Sequence, residues 1–254
     1  MTALIDIESF IYKACTVCED VVEVRRGIYQ MQWDLRKVDE YFGNLLTDIT
    51  GTTDQDEYIF VFGDWKNYRK VINPDYKANR KDAVKHPMLK VIKDFVTINY
   101  TCVHSNWVEA DDTCRMLYEQ DPTNNVIVSI DKDLKTFPCK VYNPMRPEDG
   151  VKKISKREGD INFFKQIIMG DKTDGYSGLP GYGEVKASRL IGNLDKLKIE
   201  ELQESFIDAG GDILTFAKNY NMAHILSKDE YLPTGIQLYK GYFDYEKEKI
   251  VEQL

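Results

Sequence analysis

Histidine is scarce in this chain of 254 residues: His86, His104 and His224 are all there are, and no His–Ser or Cys–His pair is evident. The five cysteines (15, 18, 102, 114, 139) are odd in number and scattered, in a chain large enough to need no staples. They give no disulfide framework, and a reducing cytosol is the simplest expectation. Cys15 and Cys18 have the spacing of half a zinc site, but no second Cys/His pair accompanies them, so core or surface thiols are the better reading. Nothing approaches eighteen consecutive apolar residues, which excludes a membrane-spanning helix. The opening MTALIDIESF has no basic segment before an apolar core, so no signal peptide is expected.

Positive charge is also in deficit. There are 34 Lys and Arg against 42 Asp and Glu, a net charge of −8. Spread evenly, that balance argues against a nucleic-acid partner. It is not spread evenly. Between Lys66 and Lys93 stand nine cations (66, 69, 70, 77, 80, 81, 85, 90, 93) and two Asp, so this stretch is +7 and the remainder −15. Trp65, Tyr68 and Tyr76 are interleaved with the cations. Phosphates seek the one and bases the other in single-stranded nucleic acid. A solvated helical face is the commoner fate of a charge run, but this run is one-signed rather than alternating.

At 43% hydrophobic and 12% aromatic the chain is globular, with no repeat or low-complexity segment. Four short apolar runs, at residues 3–7, 58–62, 97–103 and 126–130, read as buried parallel strands. Helical patterns lie between them, at 35–49, 87–95 and 108–119. Strand–helix alternation predicts an α/β sheet. After about residue 157 the periods become helical through to the C-terminus. Residues 143–157, with two prolines and a Lys/Arg cluster, read as the junction between a unit at 1–157 and a helical unit at 158–254.

Acids follow the strands. Asp6 closes the first, Asp64 the second, and Asp131 and Asp133 come just after the fourth. In an open α/β sheet the carboxyl ends of the strands form the ligand crevice. Any one such Asp serves more often as a turn former or helix cap than as a ligand, so the weight lies in their convergence. Glu109, Asp111 and Asp112 open a helix after the third strand, where Asn106 and Glu109 have capping-box spacing and first-turn acids suit the helix dipole. Asp171 and Asp174 lie in a loop between helical segments. Nine carboxylates are too many for one octahedral Mg²⁺. They suit two divalent ions, Mg²⁺ or Mn²⁺, with outer members holding bound water. A glycine-rich turn at 175–183, with Gly178, Gly181 and Gly183, precedes a helix near Glu184. It is neither a P-loop nor a dinucleotide fingerprint. It serves equally as a phosphate-gripping hairpin or as a plain inter-helix turn.

The motifs Asp75-Tyr76-Lys77-Ala78-Asn79-Arg80-Lys81, Glu109-Ala110-Asp111-Asp112, Ser129-Ile130-Asp131-Lys132-Asp133 and the run from Gly170 to Gly178 occur in this order across most of residues 2–191. In this the chain resembles the 5′-nuclease superfamily (flap endonucleases, polymerase-associated 5′ nucleases), and within it most closely the 5′→3′ exonucleases of short-tailed lytic phages. The resemblance implies a PIN-like, Rossmann-like α/β domain with a basic clamp at 66–93. A helix-hairpin-helix-like domain, with its hairpin at 170–186, would follow. It implies a metal site at Asp6, Asp64, Glu109, Asp111, Asp112, Asp131, Asp133, Asp171 and Asp174. Lys77 and Arg80 would act on the scissile phosphate and Tyr76 would stack on the terminal base. Further substrate contacts are expected from Arg69, Asn79 and Lys81, and from Gly178, Gly181, Gly183 and Lys186. The hairpin would also offer a place to a monovalent cation such as K⁺.

The implied activity is two-metal hydrolysis from the 5′ end of duplex DNA, at an end, nick or flap, by a monomer in the cytoplasm of a host cell. There are departures. Ile7-Glu8 follows the first acid where Gly is common, and Val185 stands where the hairpin usually carries Lys. The segment from Arg80 to Val91 is short for a tall arch, which favours a low clamp near His86-Pro87. Rivals are a PIN-type or RNase H-like ribonuclease acting on RNA–DNA hybrids, a phosphatase lacking its second Asp after Asp6, and a non-catalytic DNA-binding module.

Overall fold

Side-chain alternation along short apolar strands decides the architecture of the first half. The computed structural model describes residues 1–80 and 83–251. β1 (Thr2–Asp6) leads through α1 (Glu8–Val17) to an antiparallel hairpin of β2 (Glu19–Arg25) and β3 (Ile28–Trp33), then to α2 (Leu35–Thr53). Next come β4 (Glu57–Phe62), the short α3 (Tyr68–Ile72), α4 (Leu89–Asn99), β5 (Cys102–His104) and α5 (Ala110–Tyr118). β6 (Val126–Val128), β7 (Lys140–Tyr142) and β8 (Lys152–Lys153) complete a six-stranded sheet of order β5-β4-β1-β6-β7-β8, parallel except for β8.

Both faces of the sheet are covered, as a parallel sheet requires. Ala3, Ile5, Phe60, Phe62, Val126 and Val128 pack with Phe10 of α1, Phe42 of α2 and Ile92 of α4. The alternate residues Leu4, Val61 and Ile127 pack with Ala110, Cys114 and Tyr118 of α5. From β1 the chain moves outward to β4 and β5, and α5 then carries it back to β6 on the other side of β1. The order reverses between β1 and β6, where a crevice opens at the carboxyl ends.

In the second half α6 (Lys156–Met169) starts on a Ser155/Glu158 capping box. A small pair, β9 (Gly170–Asp171) and β10 (Tyr176–Ser177), leads to α7 (Glu184–Gly192), α8 (Ile199–Asp208) and α9 (Ile213–Ala223). Phe164, Ile167, Leu179, Ala187, Phe206 and Phe216 form the core of this unit. Lys156 lies inside α6, so the helix crosses the expected boundary at 157.

Three expectations are corrected. The apolar run at 97–103 is not one strand: α4 continues to Asn99, in phase with buried Ile92 and Val96, and β5 keeps only Cys102–His104. The C-terminal part is not helical throughout. β11 (Tyr231–Leu232), β12 (Gly235–Leu238), β13 (Gly241–Asp244) and β14 (Lys249–Val251) form an antiparallel sheet. Its Ile236, Leu238 and Phe243 pack on Tyr68, Val108 and Met116 of the first half. Finally, the cap of α5 is Glu109 rather than Asn106, and the Glu109 backbone N–H donates to Asp112 Oδ2 at 3.0 Å.

Candidate active site

The reversal between β1 and β6 gathers acids from several loops. Asp6 ends β1, and the Ser129 hydroxyl, just beyond β6, donates to its Oδ2 at 3.0 Å. Asp6, Glu8, Glu109, Asp111 and Asp131 line one open cleft of about 280 Å³, together with Lys77 and Arg80. Burial pushes the Asp6 carboxyl up to about 7, and the charges of Glu8, Asp131 and Glu109 add to the effect. Asp111 is raised well above the carboxylate range by burial, then by Asp112 and Glu109. At both acids burial is the larger cause and like-charged neighbours add to it.

Glu109 goes the other way. Burial opposes its charge, but Lys77 and Arg69, with hydrogen bonds from Lys77 and Tyr76, hold it ionised. Lys77 Nζ lies 2.6 Å from Oε1 and the Tyr76 hydroxyl donates to Oε2 at 2.5 Å. Lys77 itself is left-handed, with φ +51, uncommon for a residue with a Cβ. That conformation lets its N–H donate to Asp174 O at 3.2 Å while its ammonium reaches Glu109. The exposed Arg80 guanidinium sits 3.6 Å from Asp174 Oδ1.

A second group of acids flanks the cleft. Burial raises Asp174, with Glu109 and Asp171 adding and Lys77 opposing. Asp133 is pushed up to about 6, by burial first and then by Asp131, and accepts from Gln166 Nε2 at 2.6 Å. Asp171 is lowered: burial is outweighed by the Thr173 N–H at 2.7 Å and by Lys132. Asp64 is set apart. Its oxygens accept the backbone N–H groups of Lys66 (3.2 Å) and Trp107 (2.9 Å), and it lines a neighbouring cavity with Trp65, Lys85 and Lys93.

Asp112 does not face the cleft at all. It is fully buried and accepts from Arg69 Nη1 (2.7 Å) and Nη2 (2.8 Å), Leu226 N (2.9 Å) and Glu109 N (3.0 Å). Four donors exhaust a carboxylate's lone pairs, so the expected metal role is withdrawn. Arg69 is 2% exposed and also donates to the carbonyls of Met222 and His224, which excludes it as a substrate contact. Tyr76, 3% exposed within the second core, cannot offer its face to a base.

Most cations of the basic segment are paired within the protein. Lys66, Arg69, Lys77, Arg80, Lys90 and Lys93 all stand within 4.0 Å of a carboxylate. Residues 83–86 form an irregular segment, and His86 leans on the β2–β3 hairpin through Glu19 (3.3 Å) and the edge of Trp33. Asn79 Nδ2 donates to Thr173 O at 3.2 Å, tying this segment to the β9–β10 loop. Lys81 lies outside the described residues.

The glycine-rich turn joins α6 to α7, as a helix-hairpin-helix does. Gly178 is required by packing, because a Cβ there would stand 2.1 Å from Ile168 O. Gly181 is left-handed (φ +75), Gly183 caps α7, and Lys186 Nζ lies over the Tyr182 ring at 5.4 Å. Glu8 is the cleft residue that reasoning from strand ends misses. It is the first residue of α1, and its position two after Asp6 was the available signal.

Among the described residues, no three His, Cys, Asp or Glu side chains stand gathered at coordinating distance. The donor chemistry still suits a hard cation. The cleft's acceptors are oxygens, five carboxylates with the hydroxyls of Ser9 and Tyr12 beside them, and burial, with neighbouring acids adding, disfavours the charge on Asp6 and Asp111, which a divalent ion would relieve. No helix among the described residues is long and apolar enough to cross a membrane.

Residues 1–156 match the model of a 5′-3′ exonuclease N-terminal, resolvase-like domain. The chain is similar to an exodeoxyribonuclease of Enterobacteria phage T3, 32% identical over 168 residues that cover 60% of this chain and 51% of the relative. It is also similar to an exonuclease of Escherichia phage T7, 32% identical over 142 residues covering 50% of this chain and 44% of that one. The chain thus spans about half the length of the curated relatives it matches. Among solved structures, a phage T5 protein co-crystallised with metal ions has a TM-score of 0.60 at 14% identity, covering 87% of this chain and 88% of its own. The T5 5′-exonuclease with zinc bound has a TM-score of 0.59 at 14% identity, covering 88% and 89%. At such identity the likeness is one of fold.

Proposed function

The chain belongs to the family of 5′-3′ exonucleases with an N-terminal resolvase-like domain, and on that premise we propose that it is a metal-dependent 5′→3′ exonuclease with flap endonuclease activity. The observation that carries the reading is the cleft at the β1/β6 reversal, where Asp6, Glu109, Asp111 and Asp131 meet Lys77 and Arg80. Its substrate is the 5′ end of duplex DNA, at an end, nick or flap, in the cytoplasm of a host cell. The phage relatives and the metal-bearing T5 structures support this assignment.

Asp6, Asp111 and Asp131 would hold divalent cations, Mg²⁺ or Mn²⁺, with Asp133, Asp171 and Asp174 as outer members. When bound, such ions supply charge neutralisation and Lewis acidity at a phosphodiester. Lys77, fixed by Glu109 before substrate arrives, offsets charge that builds on the phosphoryl oxygens, and its preorganisation spares reorientation during the reaction. Arg80, more exposed at the mouth, meets the phosphate on entry. The hairpin at 170–186 would hold the duplex through backbone N–H groups, and its carbonyl oxygens would take a monovalent cation such as K⁺.

The test is a digest of 5′-labelled flap, nicked, blunt-duplex and RNA–DNA hybrid substrates in Mg²⁺ or Mn²⁺. Release of 5′-phosphorylated mono- or short oligonucleotides is expected. Asp111→Asn should lose cleavage by orders of magnitude while still binding DNA. Retained turnover in that variant, or no metal-dependent cleavage by the unaltered protein, would overturn the reading.

A further inference from the structure

One strand along from the cleft lies a second cavity, of about 200 Å³, that the nuclease reading leaves unused. It sits at the same carboxyl edge of the sheet, where the chain leaves β6 and β7. Ser129, Ile130 and Asp131 form one wall, so the two cavities share Asp131. The opposite wall comes from the segment whose Lys/Arg cluster the sequence suggested only as a junction. Lys132, Lys135, Arg146 and Lys152 all line it, against Asp131 and Asp149.

The cations differ in how they are engaged. Lys152 pairs with Asp149 at 2.8 Å, and Lys132 lies 3.5 Å from Asp171. Lys135 and Arg146 have no carboxylate within 4.0 Å among the described residues, unlike most of the 66–93 cations. An unpaired Lys and an unpaired Arg on an open cavity are poised for a multivalent anion, and a guanidinium suits phosphate oxygens by its fork of donors.

We propose that this cavity is a second phosphate site, taking a phosphate of the same nucleic acid whose scissile bond lies in the Asp6–Asp111 cleft. The inference rests on the nuclease reading of that cleft. Neighbouring strands are about 4.8 Å apart, which sets the cavity roughly 5–10 Å from the acids along the sheet edge. That short reach places the bound group on a nucleotide at or next to the one that adjoins the reacting phosphate. Two sources share this chemistry: an internal phosphodiester of the strand running past, or a terminal 5′-phosphomonoester.

The experiment measures DNA affinity by fluorescence anisotropy without divalent metal, over a series of salt concentrations, for the unaltered protein and Lys135→Ala/Arg146→Ala. The double variant should bind several-fold more weakly, with the slope of log affinity against log salt smaller by about 0.9, one phosphate's worth. Lys135→Arg/Arg146→Lys should restore both. If alanine lowers the melting temperature, Lys135→Gln/Arg146→Gln keeps the stems and removes the charge. Equal loss on 5′-phosphoryl and 5′-hydroxyl oligonucleotides assigns the site to an internal phosphodiester, and loss confined to the former assigns it to the terminus. Unchanged affinity and slope in a folded double variant would overturn the proposal. The same preparations are assayed for Mg²⁺-dependent cleavage, so failure of the nuclease reading shows in the unaltered protein and failure of the second site only in the variant.

Discussion

Asp111 and Asp112 are neighbours in sequence and opposites in structure. One faces an open cleft among other acids, and its charge is disfavoured there. The other is fully buried and takes four N–H donors, two of them from Arg69. A helix turns about 100° per residue, enough to send adjacent side chains to different surroundings. What separates a structural acid from one ready for a metal is how completely the protein itself satisfies it. Asp112 is saturated and joins α5 to α3 and to the chain after α9. Asp111 is left wanting a cation.

The largest expected effect breaks the saturated side. Asp112→Ala strands a buried guanidinium and two backbone N–H groups, and should cost about 3–5 kcal/mol of folding stability. Asp111→Ala, which removes like-charge repulsion, should leave the metal-free protein as stable or more so. Urea denaturation of both variants checks the contrast. Equal losses would mean that the two acids are not distinguished by their partners.

A smaller effect is a matter of pH. In metal-free protein Asp6 and Asp133 are pushed up to about 7 and about 6, above the unfolded Asp value of about 3.9. Each binds its proton more tightly when folded. Its stabilisation is therefore full below about pH 4 and lost as pH rises through its folded pKa. Metal-free stability should decline between about pH 4 and 7, by at most about 1.4 kcal/mol per pH unit for each group. Glu230, lowered to about 2 by hydrogen bonds and charge from His224 and Ser227 against its burial, acts on the acid side of that window. Asp6→Asn should flatten the decline, and an unaltered slope would contradict the assignment of Asp6.

Much of this site was legible in the sequence. Asp6 and Asp131 follow apolar runs short enough to be buried strands, and the sheet does bring their ends together. The order of four motifs pointed to the family that residues 1–156 match. What was not legible depended on distant partners. Nothing local separates Asp112 from Asp111, because Arg69 lies 43 residues away. The +7 of residues 66–93 looked like a clamp until folding supplied Glu248, Glu109 and Asp174 from elsewhere in the chain. The strands β11 to β14 are two to four residues long, too short for a period of two to show. Arg146 was visible only as part of a basic junction, and nothing in the sequence singled out Lys135. Their freedom from carboxylate partners is a property of the fold.

The central claim is that the unsatisfied acids exist to hold divalent ions, and calorimetric titration of metal-free protein with Mn²⁺ at pH 7 tests it directly. Saturable binding is expected, with proton release as metal displaces the proton held by Asp6. Asp111→Asn should bind markedly less. No binding by the unaltered protein, or undiminished binding by Asp111→Asn, would contradict the account.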